Sequence, residues 1–290
     1  MGKAEVWGFG YVAAATALFA TTPVLIRWAA PLSSFEITFG RMAIAALTVG
    51  VIARWKSTLA GPEQKGDGRP IPTSRFALYG LIAALHFLLY IASLSYTTIA
   101  HSLALVYTAP VFVTLFAALL LKEPLRRRQW LGMPVVIAGI AVLTGFEPQM
   151  DLRMAVGDAL AVGSAICFGL YSVAGRRERA TYPLLRYAGA VYLAAALWLA
   201  PAAALGASGT VTWQSVGAVA CLGVFPLAVG HTLYNASLRR VHPTYVNLVS
   251  TQEVTGGILL GYLLLGEAPG HQALLGASLS LLGVALVLIL

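Results

Sequence analysis

Four apolar stretches of the chain carry polar side chains, two of them at spacings that bring the group to one helix face. His86, Tyr90, Ser93 and Thr97 follow one another at i, i+4, i+7 and i+11, the repeat of a single helical stripe. Tyr107, Pro110 and Thr114 follow at i, i+3 and i+7. His231, Tyr234, Asn235 and Ser237 lie in a third run. Asn247, Ser250, Thr251 and Thr255 share a face of the fourth, with Gln252 and Glu253 beside it. Such groups offer hydroxyls, amides, aromatic faces, two imidazoles and one carboxylate. In an apolar setting each is costly unless it has a partner or faces a wet cavity. The chemistry they suit is reversible binding of a small ligand. Covalent chemistry has less support, because the chain carries no GxSxG, no HExxH and no GxxxxGK[ST]. His86, His231 and Glu253 could ligate a metal, which keeps a metal-dependent intramembrane enzyme as an alternative, although their spacing does not require one.

Every one of these residues also has a structural reading. Serines and threonines bond back to their own helix. Tyr90 and Tyr234 serve equally well to pack helices, and Asn235 and Asn247 to hold helices together. The histidines should line a cavity or meet a partner. Glu253 must be protonated, paired or hydrated; a proton-coupling role and a structural pair are both open. Pro110 predicts a kink in mid-helix, a moving hinge or a static bend. Asp158 reads as a cap in the first turn of its helix. Glu36 and Arg41, spaced i, i+5 near the outer end of theirs, are poorly placed to pair with each other.

The elements that position these residues follow from composition. Of 290 residues 59% are hydrophobic and 10% are charged, where a soluble domain is about a quarter charged. Spanning a bilayer core takes about 20 apolar residues. The pattern predicts ten helices, near 6–27, 35–53, 76–96, 100–121, 130–146, 155–174, 184–205, 215–238, 244–265 and 272–290. The segment 54–75 is rich in Gly and Pro and reads as a loop. Cys167 and Cys221 lie in separate apolar runs and read as small buried residues. An even helix count puts both termini on one side. Sixteen of the 19 Lys and Arg residues fall on that side, leaving Arg27, Arg41 and Arg153 opposite. Both termini are therefore expected in the cytoplasm of a bacterial inner membrane. Arg126-Arg127-Arg128 and Arg176-Arg177-x-Arg179 read as topology signals at the lipid surface, not as nucleic-acid patches. Five of the six tryptophans fall near helix ends; Trp198 lies inside one.

The chain also repeats itself. Leu89-Tyr90-Ile91-Ala92-Ser93-Leu94 returns as Leu233-Tyr234-Asn235-Ala236-Ser237-Leu238, an offset of 144. At the same offset Leu119-Leu120-Leu121-Lys122-Glu123 matches Leu263-Leu264-Leu265-Gly266-Glu267, and Gly132, Gly139 and Ala141 meet Gly276, Gly283 and Ala285. The reading is two five-helix repeats, 1–146 and 147–290. Because five is odd, the second enters the membrane from the opposite side. Inverted repeats supply two packings that alternate access to a site between them.

With Pro110 in helix 4, the Leu-rich stretches ending in Glu123 and Glu267, and the Phe35-Glu36-x-x-x-x-Arg41 segment of helix 2, the chain resembles the drug/metabolite transporter superfamily. More narrowly it looks like the EamA-type exporters, and in overall look it is similar to the YddG-type aromatic amino-acid exporters. It departs from them in Phe19, where many members have Trp, and in Val254, which stands opposite Pro110. The resemblance implies an all-α integral membrane protein that exports small organic metabolites such as neutral or aromatic amino acids by alternating access, without a cofactor. Nucleosides, sugars and amphipathic toxins are the other substrate classes. The expected site is His86, Tyr90, Tyr107, His231, Tyr234, Asn235, Asn247, Thr251 and Gln252, with Glu253 as coupling or structural carboxylate and Pro110 as hinge. The expected partners are an amino-acid substrate and membrane lipid.

Overall fold

The computed structural model describes residues 2–59, 70–96, 102, 105–144, 152–207, 210–266 and 271–289. Thr97, Glu267 and residues 60–69 of the expected loop 54–75 lie outside these, and the flanking helices run on into that segment, to Leu59 and from Thr73. Ten helical passes follow one another. α1 is two pieces, Lys3–Phe19 and Thr22–Trp28; α2 is Ser34–Leu59 and α3 is Thr73–Ser93. α4 comprises Ala109–Phe116 and a wide π turn, Ala117–Leu121; after a 3-10 turn, Arg127–Leu131, comes α5, Gly132–Thr144. In the second half α6 is Leu152–Glu178 and α7 is Leu184–Leu205. α8 runs Trp213–Leu222, Gly223–His231 and Thr232–Leu238, its middle piece a π-helix. α9 is Pro243–Ser250 and Glu253–Leu265, and α10 is His271–Ile289. Six of the passes are long and apolar enough to cross a membrane by length and composition alone; the pieces in α4, α5 and α10 are apolar but shorter.

The distribution of side chains is that of a membrane protein. Leucines such as Leu47, Leu119, Leu197, Leu263 and Leu282 are exposed on the outside, where lipid replaces water as the solvent. Polar groups are gathered within: Arg41, His86, His231, Asn235 and Asn247 are buried. Aromatic residues Phe76, Tyr182 and Tyr187 pack edge to face, at 5.3 to 5.8 Å, where α3 and α7 begin.

Three helices are interrupted where the sequence reading had them continuous. α1 stops at Ala20–Thr21 because Pro23 has no N–H to give and its ring excludes the carbonyl four residues back; a new helix starts with Pro23 in its first turn. Pro110 acts in the same way. It does not kink a helix in the middle, as expected, but stands in the first turn of one that begins at Ala109, the position proline tolerates best. α9 breaks at Thr251–Gln252 with no proline. There Ser250 Oγ donates to the Asn247 carbonyl at 2.7 Å and Thr251 Oγ1 to that of Leu248 at 2.6 Å, and such back-bonding bends helices. The breaks at 107–108 and 251–252 lie 144 residues apart, in the register of the sequence repeat.

Other details share that register. Lys122 and Gly266 both end their Leu-rich stretch in the left-handed conformation, at φ 60° and 70°. Glycine adopts it freely, whereas lysine does so at a cost of about 1–2 kcal/mol. α5 and α10 approach backbone to backbone at their glycines: a Cβ on Gly139 would sit 2.3 Å from the Ser280 backbone nitrogen, and one on Gly283 2.4 Å from that of Val136. The π stretch of α8 surrounds Pro226, whose missing donor explains why the ladder widens there.

One further expectation is corrected and an open one is decided. α6 begins at Leu152, so Asp158 stands in its second turn and is not a first-turn cap. Arg41, near the outer end of its helix and able from sequence to reach the interface or another helix, turns into the bundle at 1% exposure; α2 itself begins at Ser34 with a capping pair. In that pair Ser33 N donates to Glu36 Oε2 at 2.8 Å and Glu36 N donates to Ser33 Oγ. The outer tally of basic residues is then Arg27 and Arg153 alone, which sharpens the charge asymmetry.

At the Lys/Arg-rich end, Arg176 closes the gap between α4, α6 and α8. Its Nε reaches Glu123 Oε2 at 3.2 Å and its second nitrogen donates to the Leu238 carbonyl at 2.7 Å. His242 Nε2 meets the Glu123 carbonyl at 2.8 Å, while its Nδ1 accepts from Thr244 N. The ring is thus neutral with its proton on Nε2. Burial holds it below its ordinary value of 6.5, ahead of the opposing pull of the Glu123 carbonyl.

Candidate functional site

The interruptions converge. Thr22, Ala109 and Glu253 are each the first residue of a restarted helix piece, and all three line one internal cavity of about 40 Å³. Its other walls come from Phe19, Arg41, His86, Phe87, Tyr90, Tyr107, Phe168, His231, Asn247, Ser250 and Thr251. Broken helices turned toward a central site are one way a membrane fold presents backbone and dipole to a ligand. About one water needs 10–15 Å³ by this measure, so the space holds a few waters and no organic ligand. The structure is a closed form.

The aromatic wall is continuous. The His86 ring stacks on Phe168 at 4.6 Å and 12°. His231 lies 4.4 Å from Phe19 and edge-on to Phe87 at 4.9 Å. The Arg41 guanidinium sits over the Phe87 face at 4.6 Å, a cation–π contact. The two histidines differ. His86 Nδ1 lies 3.0 Å from Ser164 Oγ and 3.1 Å from the Ser164 carbonyl, and Ser164 Oγ donates to the His86 carbonyl at 2.8 Å. His231 Nδ1 has no hydrogen-bond partner.

The remaining polar groups are poorly paired for such depth. Arg41 Nε and one terminal nitrogen make no hydrogen bond, nor do the two amide atoms of Asn247, which is 1% exposed. The Asn247 amide stands near the Tyr234 hydroxyl without bond geometry. Tyr107 and Glu253 line the cavity together. Arg41 and Glu253 are within electrostatic reach of one another, yet they form no ion pair.

Of the residues singled out from sequence, the cavity therefore brings together His86, Tyr90, Tyr107, His231, Asn247, Thr251 and Glu253. It does not include Tyr234, Asn235, Gln252 or Pro110. The Tyr234 hydroxyl shares a 2.6 Å hydrogen bond with Ser172 Oγ. Asn235 Nδ2 donates to the Tyr171 hydroxyl at 2.6 Å and to the His231 carbonyl at 2.8 Å, so it supports the histidine from behind. Gln252 turns toward α10, donating to Ser280 Oγ at 3.1 Å. Sequence reasoning missed Arg41 and the three phenylalanines as wall residues. A signal existed for Arg41, a lone cation inside an apolar run, and for Phe19, which stands where many members of the resembled family have Trp; nothing in the residue pattern separates Phe87 from lipid-facing phenylalanines.

Comparison with known proteins agrees with this architecture. The EamA-like transporter family matches residues 6–145 and again 155–289, and the chain belongs to that family: it is a membrane-embedded transporter of ten helices in two repeats, not an enzyme. Among curated relatives, a probable terminal-alkyne amino-acid exporter of Streptantibioticus cattleyicolor is 29% identical, the match covering 63% of this chain and 62% of that one. The pseudopaline exporter CntI of Pseudomonas aeruginosa is 30% identical over 44% of this chain and 43% of its own length. The chain thus spans less than two thirds of the length of either exporter. A solved crystal structure shares the fold with a TM-score of 0.79, at 23% identity over 98% of this chain and 95% of the other.

Proposed function

We propose that this protein exports small organic metabolites, with neutral and aromatic amino acids as the substrate class, by secondary transport across a bacterial inner membrane. The observation that carries the reading is the cavity wall, in which stacked rings adjoin unpaired polar groups at the meeting point of broken helices. Rings suit an apolar side chain. Donors and acceptors without partners suit an ammonium and a carboxylate. A relative named as an amino-acid exporter supports the same class. His86, Tyr90, Tyr107, His231, Asn247 and Thr251 contact the substrate, with Tyr234, Asn235 and Gln252 holding the wall. Glu253 serves as coupling carboxylate and the Pro110 break as hinge. The halves 1–146 and 147–290 rock to open the cavity on alternate sides, and both termini lie in the cytoplasm, the side of the basic residues.

Counterflow with the purified protein in liposomes tests this. Aromatic, aliphatic, polar and charged amino acids compete against labelled phenylalanine, with His86→Ala and Tyr90→Ala in parallel. Competition by neutral amino acids, lost in both variants, is the expected result. Flux that survives both variants removes these residues from the site, and no exchange of any amino acid removes the substrate class.

A further inference from the structure

Arg41 is the least explained group in the molecule. It is 1% exposed, and among the described residues two of its guanidinium nitrogens make no hydrogen bond and it forms no ion pair. A buried cation in a membrane helix is costly, and buried unsatisfied donors are rare enough that each needs a reason. Glu253 lines the same cavity but makes no ion pair with Arg41. The face of Phe87 covers one side of the guanidinium; it supplies no acceptor for the in-plane donors. The eight-residue helix starting at Ala109 adds the positive end of its dipole to the same cavity. What is missing is a planar anion with two acceptors.

We propose that Arg41 anchors a carboxylate of the transported molecule, so that a carboxylate is the group every substrate of this protein must carry. The inference rests on the exporter reading and narrows it. A guanidinium fork matches a carboxylate two bonds at a time. Asn247, whose amide is also unpaired, lies on the same cavity and offers a further donor to the anion and an acceptor to a neighbouring ammonium. The charges in the wall, Arg41 and Glu253, then stand to the two ends of a zwitterion as separate partners.

The test uses wild-type protein in liposomes, with phenylalanine, 3-phenylpropionate (no amine) and phenethylamine (no carboxylate) competing against labelled phenylalanine. Phenethylamine should compete about ten- to hundredfold more weakly than phenylalanine, the range of a lost charge-assisted hydrogen bond. Arg41→Gln should erase that discrimination by raising the KM for phenylalanine, and Arg41→Lys should recover part of it, since lysine keeps the charge without the fork. Equal competition by phenethylamine in the wild type overturns the anchor whether or not the variants fold, as does full discrimination in a folded Arg41→Gln protein. If no amino acid is exchanged, protection from thermal unfolding is read with the same three compounds. Protection of wild type but not Arg41→Gln by 3-phenylpropionate keeps the anchor and removes the amino-acid reading. No protection by either carboxylate removes both.

Discussion

Replacing Arg176 by Gln should open the Lys/Arg-rich end far more than replacing its acidic partner. The Arg176–Glu123 pair is partly solvated, with side chains 25% and 35% exposed, and pairs of that kind contribute about 0.5 kcal/mol. The bond from Arg176 to the Leu238 carbonyl, at 2.7 Å, is charge-assisted and contributes about 1.5–3 kcal/mol. Glu123→Gln forfeits only the first, since His242 bonds the Glu123 backbone carbonyl and keeps it. Arg176→Gln forfeits both. At 1.4 kcal/mol per tenfold, the closed-to-open ratio should fall roughly thirtyfold or more for Arg176→Gln and about twofold for Glu123→Gln. The assay is labelling of a thiol in the cavity wall, using Ser250→Cys in a background with Cys167→Ser and Cys221→Ser. Ser250 is 4% exposed in the closed form, so its reaction with a membrane-impermeant maleimide reports the open fraction from whichever side the reagent is added. Faster labelling should appear from the Lys/Arg-rich side. Equal effects of the two substitutions would refute the assignment of the closing energy to the carbonyl bond, and no effect of either would show that this contact does not hold the end shut.

Further outcomes follow from other contacts. Lys122→Gly relieves a left-handed lysine and should stabilise the protein by about 1 kcal/mol, seen as a higher midpoint in thermal unfolding. Phe168→Ala removes the ring stacked on His86; it should cost up to about 3 kcal/mol and admit bulkier side chains in a competition panel. Ser164→Ala removes a hydroxyl that donates to the His86 carbonyl and lies beside its ring, and should cost about 1 kcal/mol with weaker substrate competition. His242 has its folded pKa held below 6.5, so the unfolded chain binds the proton more readily. Its contribution is whole above that value and is lost as pH falls below it. The thermal midpoint should therefore drop on acidification, and His242→Gln should flatten that slope.

Much of the architecture was legible because the bilayer forces it. Runs of about 20 apolar residues have one solution in lipid, and the 144-residue register ties Tyr90 to Tyr234 and Lys122 to Gly266. The breaks were less legible. Pro23 and Pro110 announce a disruption, but whether a proline kinks a helix or begins one depends on whether the preceding turn finds other partners, which is a tertiary matter. The α9 break has only serine and threonine behind it. Arg41 stands two turns into helix 2, and whether a cation at that depth faces the interface or the bundle interior is set by the neighbouring helices, not by its place in the sequence. Tyr234 has the right chemistry on the wrong side of its helix, a rotation that periodicity alone does not fix, and Gln252 lies in the α9 break and turns to α10.

The glycine contacts between α5 and α10 have a consequence for what stays still. Where backbone meets backbone at Gly139–Ser280 and Gly283–Val136, there are no side-chain ridges to slide over and no rotamers to absorb a shift. One helix comes from each repeat, so under the rocking motion proposed above this joint would serve as an axle, around which the halves pivot without slipping along it. Spin labels across that joint should keep one distance through the whole cycle, while pairs spanning the cavity mouth change theirs. The same joint limits sequence drift, because a methyl added on one helix has no room unless the facing backbone retreats, and a retreat there would misalign both gates together.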